Sequence, residues 1–316
     1  MLKREYLCIY KPATMSLIVP PALQKGDKIA LLSTARKISA DALTPIMEIF
    51  SDWGLQVVQG KTLGLEHHQF AGTEKERLED LQWALDDAEI KAVFCVRGGY
   101  GTVQIIDRLD FTSFVQHPKW IVGYSDITVL HSHLHTQLQI ATLHATMPIN
   151  YTQNTPQSLE TLHQALFGHT PDYLIEAHPL NRFGKASGSL VGGNLSLLYA
   201  MIGTPSDLHT KGKILFIEDL DEYLYHIDRM MNALQRSGKL HDLAGLIVGG
   251  MTDMNDNTIP FGETAYQIIV RYAAPYGFPV AFGFPAGHEA DNRALVLGAT
   301  VCLEVTPDST IITNTN

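Results

Sequence analysis

The chain has 316 residues, of which 45% are hydrophobic and 18% charged, and its formal net charge is −10. This length suits two domains of ordinary size, and the negative charge argues against a nucleic-acid-binding surface. Three widely spaced cysteines indicate neither a disulfide framework nor a zinc site. No apolar run approaches the ~18 residues of a membrane span. We therefore expect a cytoplasmic protein without a membrane segment, and we interpret residues 1–16 as a tail.

Strand-like apolar runs alternate with helix-like segments through the first half of the chain. The predicted strands cover residues 28–33, 55–58, 92–96 and 120–122, and the predicted helices cover residues 40–53, 73–86, 102–109 and 127–138. The third strand is apolar at every position, which is typical of a strand buried on both faces. The alternation predicts a parallel, doubly wound sheet in an N-terminal domain of residues 17–165, with ligands bound beyond the carboxyl ends of its strands.

The pattern weakens between residues 151 and 182, where Asn, Gln, Pro and His are scattered, and we place a linker at residues 166–184. A second set of elements follows in a C-terminal domain of residues 185–316. Its predicted strands cover residues 189–191, 213–218 and 243–248, with three short strands between residues 280 and 305, and its predicted helices cover residues 194–202, 222–236 and 263–273. This domain is therefore predicted to be of mixed α/β type.

Residues 120–128 form the most informative segment, because an apolar run there ends in Gly-Tyr-Ser-Asp before a helix-like stretch. This is the local form of a nucleophile elbow, in which a strand delivers a serine, here Ser125, onto a sharp turn. The usual elbow is G-x-S-x-G, whereas Ile127 stands at the last glycine position. Ser-Asp before a helix is also an ordinary helix cap, so both interpretations of Ser125 stay open at this point.

A glycine-rich loop at residues 96–101, Val-Arg-Gly-Gly-Tyr-Gly, follows the third predicted strand. Glycines allow a positive φ and a close approach, so successive N–H groups can converge on an anion. One interpretation is a wall of an oxyanion hole whose other donor is the N–H of Asp126. A second is a phosphate cradle, for which the loop lacks the G-x-x-x-x-G-K-[ST] pattern, and a third is a tight turn alone.

A catalytic acid and base are sought among the carboxylates and the 14 histidines. Glu218 directly continues an apolar strand, so its carboxylate can be held in a cleft, whereas the acidic residues after it suit a helix start. His288 lies in a loop rich in glycine and proline, where functional side chains concentrate. His131 and His135 share a helix face at i,i+4 spacing, which could suit a metal. Without a third ligand in view, we favour a plain helix surface for them.

Four segments in this chain resemble those of the LD-carboxypeptidases, a family of serine peptidases. They are Arg-Gly-Gly-Tyr-Gly at 97–101, Gly-Tyr-Ser-Asp at 123–126, Ile-Glu-Asp at 217–219 and Gly-Phe-Pro-Ala-Gly-His at 283–288. The resemblance covers roughly residues 20–305. It implies a flavodoxin-like N-terminal domain carrying Ser125 and a C-terminal domain, with a barrel-like sheet, carrying Glu218 and His288. The active site would then lie in the interdomain cleft.

The resemblance also implies a role for each residue. Ser125 would attack the scissile carbonyl, His288 would act as the base, and Glu218 would orient the imidazole. Gly99 and Asp126 would give the oxyanion-hole N–H groups. Further contacts to substrate are expected from Arg97, Gly98, Tyr100 and Asn194. No cofactor and no metal are implied, and a homodimer is the default assembly.

The activity implied by the resemblance is removal of a terminal D-alanine joined to an L-centre in murein tetrapeptides, as in cell-wall recycling. An immunity peptidase that cleaves the peptide–nucleotide amide of microcin C is also compatible with it. The stretch between residues 203 and 213 is short and lacks the tryptophan that could stack a base, which mildly favours murein. The sequence is compatible as well with a non-catalytic protein that binds a small ligand between two domains, and with a metal hydrolase built on His131 and His135.

Overall fold

The computed structural model describes residues 16–315, so residues 1–15 of the predicted tail lie outside the described residues. The described residues form an α/β fold with two sheets. The strands are β1 (Lys28–Leu32), β2 (Gln56–Gln59), β3 (Ile90–Cys95), β4 (Trp120–Gly123), β5 (Thr142–His144), β6 (Tyr173–Glu176), β7 (Gly184–Asn194), β8 (Ile214–Leu220), β9 (Gly245–Thr252), β10 (Val280–Phe282), β11 (Leu295–Leu297), β12 (Thr300–Val305) and β13 (Ser309–Asn314). The α-helices are α1 (Thr44–Asp52), α2 (Glu74–Asp86), α3 (Thr112–Gln116), α4 (Thr128–Leu138), α5 (Pro156–Leu166), α6 (Leu195–Ala200), α7 (Leu224–Arg236) and α8 (Ala265–Ala273). No helix among these residues is long and apolar enough to cross a membrane.

The first sheet has six strands in the order β11-β5-β4-β3-β1-β2. Strands β1 to β5 run parallel, as the alternation of strands and helices predicts, and β11 pairs antiparallel with β5. Every residue of β4 is buried, and so is every residue of β3 except Lys91. These central strands are covered on both faces, which explains their continuous apolar sequence.

The predicted helix at residues 102–109 is instead two short 3₁₀ turns, Thr102–Gln104 and Ile106–Arg108. The backbone N–H groups of Gln104 and Ile105 donate to carbonyl oxygens three residues earlier. At the start of the segment the Asp126 carboxylate accepts from both the N–H and the hydroxyl of Thr102. This tether favours tight turns over a regular helix at this position.

The second sheet has seven strands in the order β10-β9-β8-β7-β12-β13-β6. The long strand β7 joins its two halves, because residues 184–189 pair antiparallel with β12 and residues 190–194 pair parallel with β8. Strand β6 lies inside the segment predicted as a linker, and β11 comes from the C-terminal half of the chain although it pairs in the first sheet. The first sheet therefore includes one strand from the C-terminal half of the chain, and the domain boundaries stay a prediction.

Helix α4 connects the two halves. It packs against β5 of the first sheet and against β7 and α6 of the second half, and one buried apolar cluster includes Leu130 and Leu134 of α4 together with Val191 and Leu195. The expectation that His131 and His135 lie on a plain helix surface is wrong, since they are only 1% and 4% exposed. The physical reason is that α4 is covered by structure on more than one face.

Candidate active site

Ser125 lies in the turn that follows β4, in the left-handed region at φ 61°. A non-glycine residue in this region is uncommon and is typical of a strained functional turn such as a nucleophile elbow. A Cβ on Gly123 would come within 2.8 Å of the Ile127 side chain. Ile127 therefore fills the space beside Gly123, so glycine is required at position 123 of this elbow.

A hydrogen-bonded chain joins the two sheets at Ser125. His288 Nε2 lies 3.0 Å from Ser125 Oγ, and His288 Nδ1 lies 2.8 Å from Glu218 Oε2. Glu218 belongs to β8 and is fully buried, while His288 lies in the loop between β10 and β11. With the proton on Nδ1, the imidazole donates to Glu218 and its Nε2 can accept from the serine hydroxyl. The structure thus brings together the three residues that the family resemblance assigns to a triad.

Glycine at position 287 permits this arrangement. Gly287 has φ 120°, and a Cβ there would lie 2.7 Å from Glu218 Oε2. Its N–H donates to the buried Asn292 side chain at 2.9 Å, and the Asn292 N–H in turn donates to Ser158 Oγ at 2.8 Å. Sequence reasoning missed Asn292, whose amide fixes the loop that presents His288.

The acidic neighbours of His288 control its charge. Burial acts to lower the pKa of His288, but the charge and the hydrogen bond of Glu218 outweigh it, and the charge of Asp219 adds to them. The pKa of His288 is therefore raised above its ordinary value. Asp219 is itself buried, and desolvation together with the neighbouring Glu218 charge raises its pKa to about 7. The site thus stabilises the imidazolium that would form when His288 takes a proton.

The glycine-rich loop packs directly on the elbow. A Cβ on Gly98 would lie 3.3 Å from Ser125 Cβ, and Gly99 has φ 114°. No group within residues 16–315 accepts a hydrogen bond from the N–H of Gly99. The Asp126 carboxylate accepts from the N–H and the hydroxyl of Thr102, the residue that follows the loop, and burial raises the pKa of its carboxyl. The Asp126 side chain therefore fixes the loop, which leaves the backbone of this region as the candidate anion site.

Ser125 and His288 open into a cavity of about 660 Å³. Arg97, Gly98 and Asn194 line it as well, whereas Tyr100 is not among its lining residues and is 48% exposed. The side-chain amide of Asn194 is already hydrogen-bonded within the protein. Its Nδ2 donates to Asp219, and its Oδ1 accepts from the Leu197 N–H and so caps α6.

The cavity wall also contains Arg36, Asp219, Asp221 and Glu222, none of which the sequence assigned to the site. Arg36 follows β1, so it lies beyond the carboxyl end of a parallel strand. That position in a doubly wound sheet is the signal that could have found it.

The two histidines considered for a metal site are both engaged. His131 Nε2 lies 2.9 Å from the Gly123 carbonyl oxygen, and His135 Nε2 lies 2.6 Å from Lys213 Nζ. In the part of the chain that the structure describes, no group of three or more His, Cys, Asp or Glu side chains could hold a metal ion. These two histidines of α4 therefore serve the internal hydrogen bonding of the fold.

Two family models and a curated relative match most of the chain. The LD-carboxypeptidase N-terminal domain matches residues 29–145, and the LD-carboxypeptidase C-terminal domain matches residues 187–303. A probable murein peptide carboxypeptidase of Bacillus subtilis (strain 168) is 38% identical over 307 residues, which cover 93% of each chain.

Two solved structures show the same fold. Muramoyltetrapeptide carboxypeptidase from Oxalobacter formigenes superposes with a TM-score of 0.82 at 24% identity, covering 92% of this chain and 99% of its own. The microcin C7 self immunity protein MccF superposes with a TM-score of 0.81 at 21% identity, covering 94% of this chain and 98% of its own. The family matches and the Bacillus relative together lead to one conclusion: the chain belongs to the LD-carboxypeptidase family of serine peptidases.

Proposed function

We propose that this protein hydrolyses the peptide bond between an L-centre and a terminal D-alanine in murein tetrapeptides, with Ser125, His288 and Glu218 as its catalytic triad. The observation that carries the proposal is the continuous chain from Ser125 Oγ to His288 Nε2, at 3.0 Å, and from His288 Nδ1 to Glu218 Oε2, at 2.8 Å. It opens into a cavity large enough for a peptide terminus. The Bacillus relative, named a probable murein peptide carboxypeptidase, supports the substrate.

In the first step His288 takes the proton of Ser125 as Oγ attacks the carbonyl carbon of the scissile bond. Glu218 holds the imidazole in the tautomer that accepts this proton and stabilises the resulting cation. The imidazolium then protonates the leaving amine, and the acyl group remains on Ser125. Water attacks this ester with His288 again as the base, which releases the shortened peptide and restores the hydroxyl.

The oxyanion that forms in both steps needs hydrogen-bond donors to stabilise its charge. We assign them to the backbone N–H groups of Gly99 and Asp126. The free N–H of Gly99, the contact of Gly98 with Ser125 and the tether between Asp126 and Thr102 support this assignment. Donors fixed in advance stabilise the developing charge without reorganisation during the reaction.

Several finer expectations belong to the same proposal. The order β2-β1-β3-β4-β5 supports a flavodoxin-like first sheet, and an isolated antiparallel bridge from Arg182 to the edge strand β10 supports a barrel-like second sheet. Residues 17–165 and 185–316 would be the two domains, joined by the linker at residues 166–184. The family resemblance makes a homodimer the default assembly, and the sequence, without an apolar run of membrane-span length, is the basis for the expected cytoplasmic location; both complete the proposal.

The likeness in fold to the microcin C7 self immunity protein MccF keeps an immunity peptidase, which would cleave a peptide–nucleotide amide, as the second candidate. The three tryptophans of the chain are Trp53, Trp83 and Trp120. None of them lines the cavity, and an indole to stack on a nucleobase is therefore missing from its wall, which favours murein. A non-catalytic binding protein would have no need of the bonded Ser125, His288 and Glu218.

The test is substrate stereochemistry. The purified protein is incubated with a murein tetrapeptide ending in D-alanine, with its diastereomer ending in L-alanine, and with a peptidyl-nucleotide amide. We expect release of D-alanine from the first substrate and little turnover of the other two. Preferential cleavage of the nucleotide amide would overturn the murein assignment, and turnover of none of the three would overturn the proposed activity.

A further inference from the structure

The wall of the active-site cavity is divided by charge. Arg36 and Arg97 lie on the side formed by the first sheet, next to the glycine-rich loop. Asp219, Asp221 and Glu222 lie on the side formed by the end of β8 and the turn after it. A substrate carboxylate is repelled by the acidic side and attracted by the basic side. Only one side of the cavity therefore suits the free C-terminus of a peptide.

Arg36 has an uncommitted guanidinium. Its side chain forms no hydrogen bond or ion pair with any group in residues 16–315. Most of the acidic residues in ion pairs lie outside the cavity, and the chain carries ten more acidic than basic residues. Arg36 is exposed and lines the same cavity as Ser125, so its unpaired guanidinium is available to a ligand there. Its planar fork matches a carboxylate in bidentate geometry.

Arg36 also packs against the glycine-rich loop next to Ser125. A Cβ built on Gly99 would come within 2.6 Å of Arg36 Cδ and 2.8 Å of Arg36 Nε. The preceding residue of the same loop, Gly98, packs on Ser125, since a Cβ built on it would lie 3.3 Å from Ser125 Cβ. Arg36 and Ser125 thus pack against adjacent residues of one loop and line the same cavity. In a C-terminal residue the carboxylate is separated from the scissile carbonyl by only the amide nitrogen and the α-carbon.

Arg97 holds this arrangement together. Its Nη1 donates to the Lys37 carbonyl oxygen at 3.0 Å, and the Arg36 N–H donates to the Gly98 carbonyl oxygen at 3.4 Å. These two bonds tie the segment that carries Arg36 to the glycine-rich loop. Arg97 is therefore a positioning residue for Arg36.

We propose that Arg36 binds the free α-carboxylate of the leaving residue, and this role rests on the proposed function. Arg97 holds Arg36 in place. This contact makes the enzyme a carboxypeptidase, since a peptide that continues beyond the leaving residue, or ends in an amide, loses the charge that Arg36 recognises. It also fixes the direction of the substrate: the leaving residue lies toward Arg36, and the rest of the peptide lies toward the acidic side of the cavity.

The experiment compares two substrates in matched variants. One is an L,D-linked tetrapeptide ending in D-alanine, and the other is the same peptide ending in D-alaninamide. Formation of the common tripeptide product is followed by liquid chromatography and mass spectrometry. The wild type should prefer the free acid, and Arg36→Ala should lower kcat/KM for the acid by about 10- to 100-fold while leaving the amide unchanged.

Two further variants sharpen the result. Arg36→Lys keeps the charge without the fork and should restore part of the preference. Arg108→Ala, which removes a surface arginine paired with Glu74, should behave like the wild type on both substrates. If Arg36→Ala retains the full preference for the acid, the inference fails while the proposed function stands. If the wild type cleaves neither peptide, the proposed function itself fails.

Discussion

Replacing Glu218 with Gln is expected to have two separable effects on catalysis. Glu218 is fully buried and its Oε2 lies 2.8 Å from His288 Nδ1. The substitution keeps the volume of the side chain and removes its charge. At an effective dielectric constant of about 20, two unit charges about 4 Å apart interact by about 4 kcal/mol. Losing this stabilisation of the imidazolium should lower kcat by about 10³-fold.

The second effect is a shift of the pH profile. In the wild type the pKa of His288 is raised above its ordinary value, because the effect of Glu218 outweighs burial. His288 must be neutral to act as a base, so kcat/KM should rise with pH through that raised pKa. Without the Glu218 charge, burial dominates and lowers the pKa of His288. The rising limb of Glu218→Gln should therefore lie at lower pH than that of the wild type.

The assay is D-alanine release from an L,D-linked tetrapeptide, with kcat/KM measured from about pH 5 to pH 9, the range in which histidine titrates. Glu289→Gln is the matched control, because it removes a carboxylate next to His288 that makes no hydrogen bond to the imidazole. The control should keep wild-type kcat to within a few-fold. A Glu218→Gln enzyme with near wild-type kcat, or with an unshifted rising limb, would refute the role assigned to Glu218.

Three further substitutions give independent checks. Gly99→Ala forces a side chain into left-handed backbone and should lower kcat about 10²- to 10³-fold on both the free acid and the C-terminal amide. Gly277→Ala, with open space around it, should leave kcat unchanged. Because the new Cβ also meets Arg36, a loss confined to the free acid would assign the effect to Arg36 and contradict the oxyanion assignment. Gly287→Ala would place a Cβ 2.7 Å from Glu218 Oε2 and should lower kcat at least ~10-fold, and wild-type kcat would argue against that contact. Burial lowers the pKa of Lys213 to about 8, below its unfolded value of about 10.4. The unfolded chain then binds more protons between these values, so the free energy of unfolding should rise from about pH 8 to pH 10, and Lys213→Met should flatten this rise in denaturant titrations; an unchanged slope would exclude Lys213 as its source.

The local features of the fold were predictable from the sequence. Continuous apolar runs identify β3 and β4, because strands covered on both faces need apolar side chains throughout. The elbow at Ser125 is also predictable, because the strand, the turn and the start of the helix follow one another directly in the chain. These predictions depend only on residues close in sequence.

Features that depend on distant contacts were not predictable in the same way. Strand β11 is three residues long, and nothing in its sequence indicates that it pairs with β5 rather than within the second sheet. His131 and His135 were placed at a surface because helical periodicity does not reveal that α4 is covered by the second half of the chain. Arg36 was missed because it lies more than 60 residues before Gly99, and its role depends on the loop that packs against it.

The central claim is that Ser125 is the nucleophile of an L,D-carboxypeptidase. The most direct measurement is D-alanine release from an L,D-linked tetrapeptide by wild-type protein and by Ser125→Ala, with the fold of both checked by circular dichroism. We predict release by the wild type and a loss of about 10³-fold or more in the variant, with an unchanged spectrum. Release by Ser125→Ala at the wild-type rate would contradict the claim.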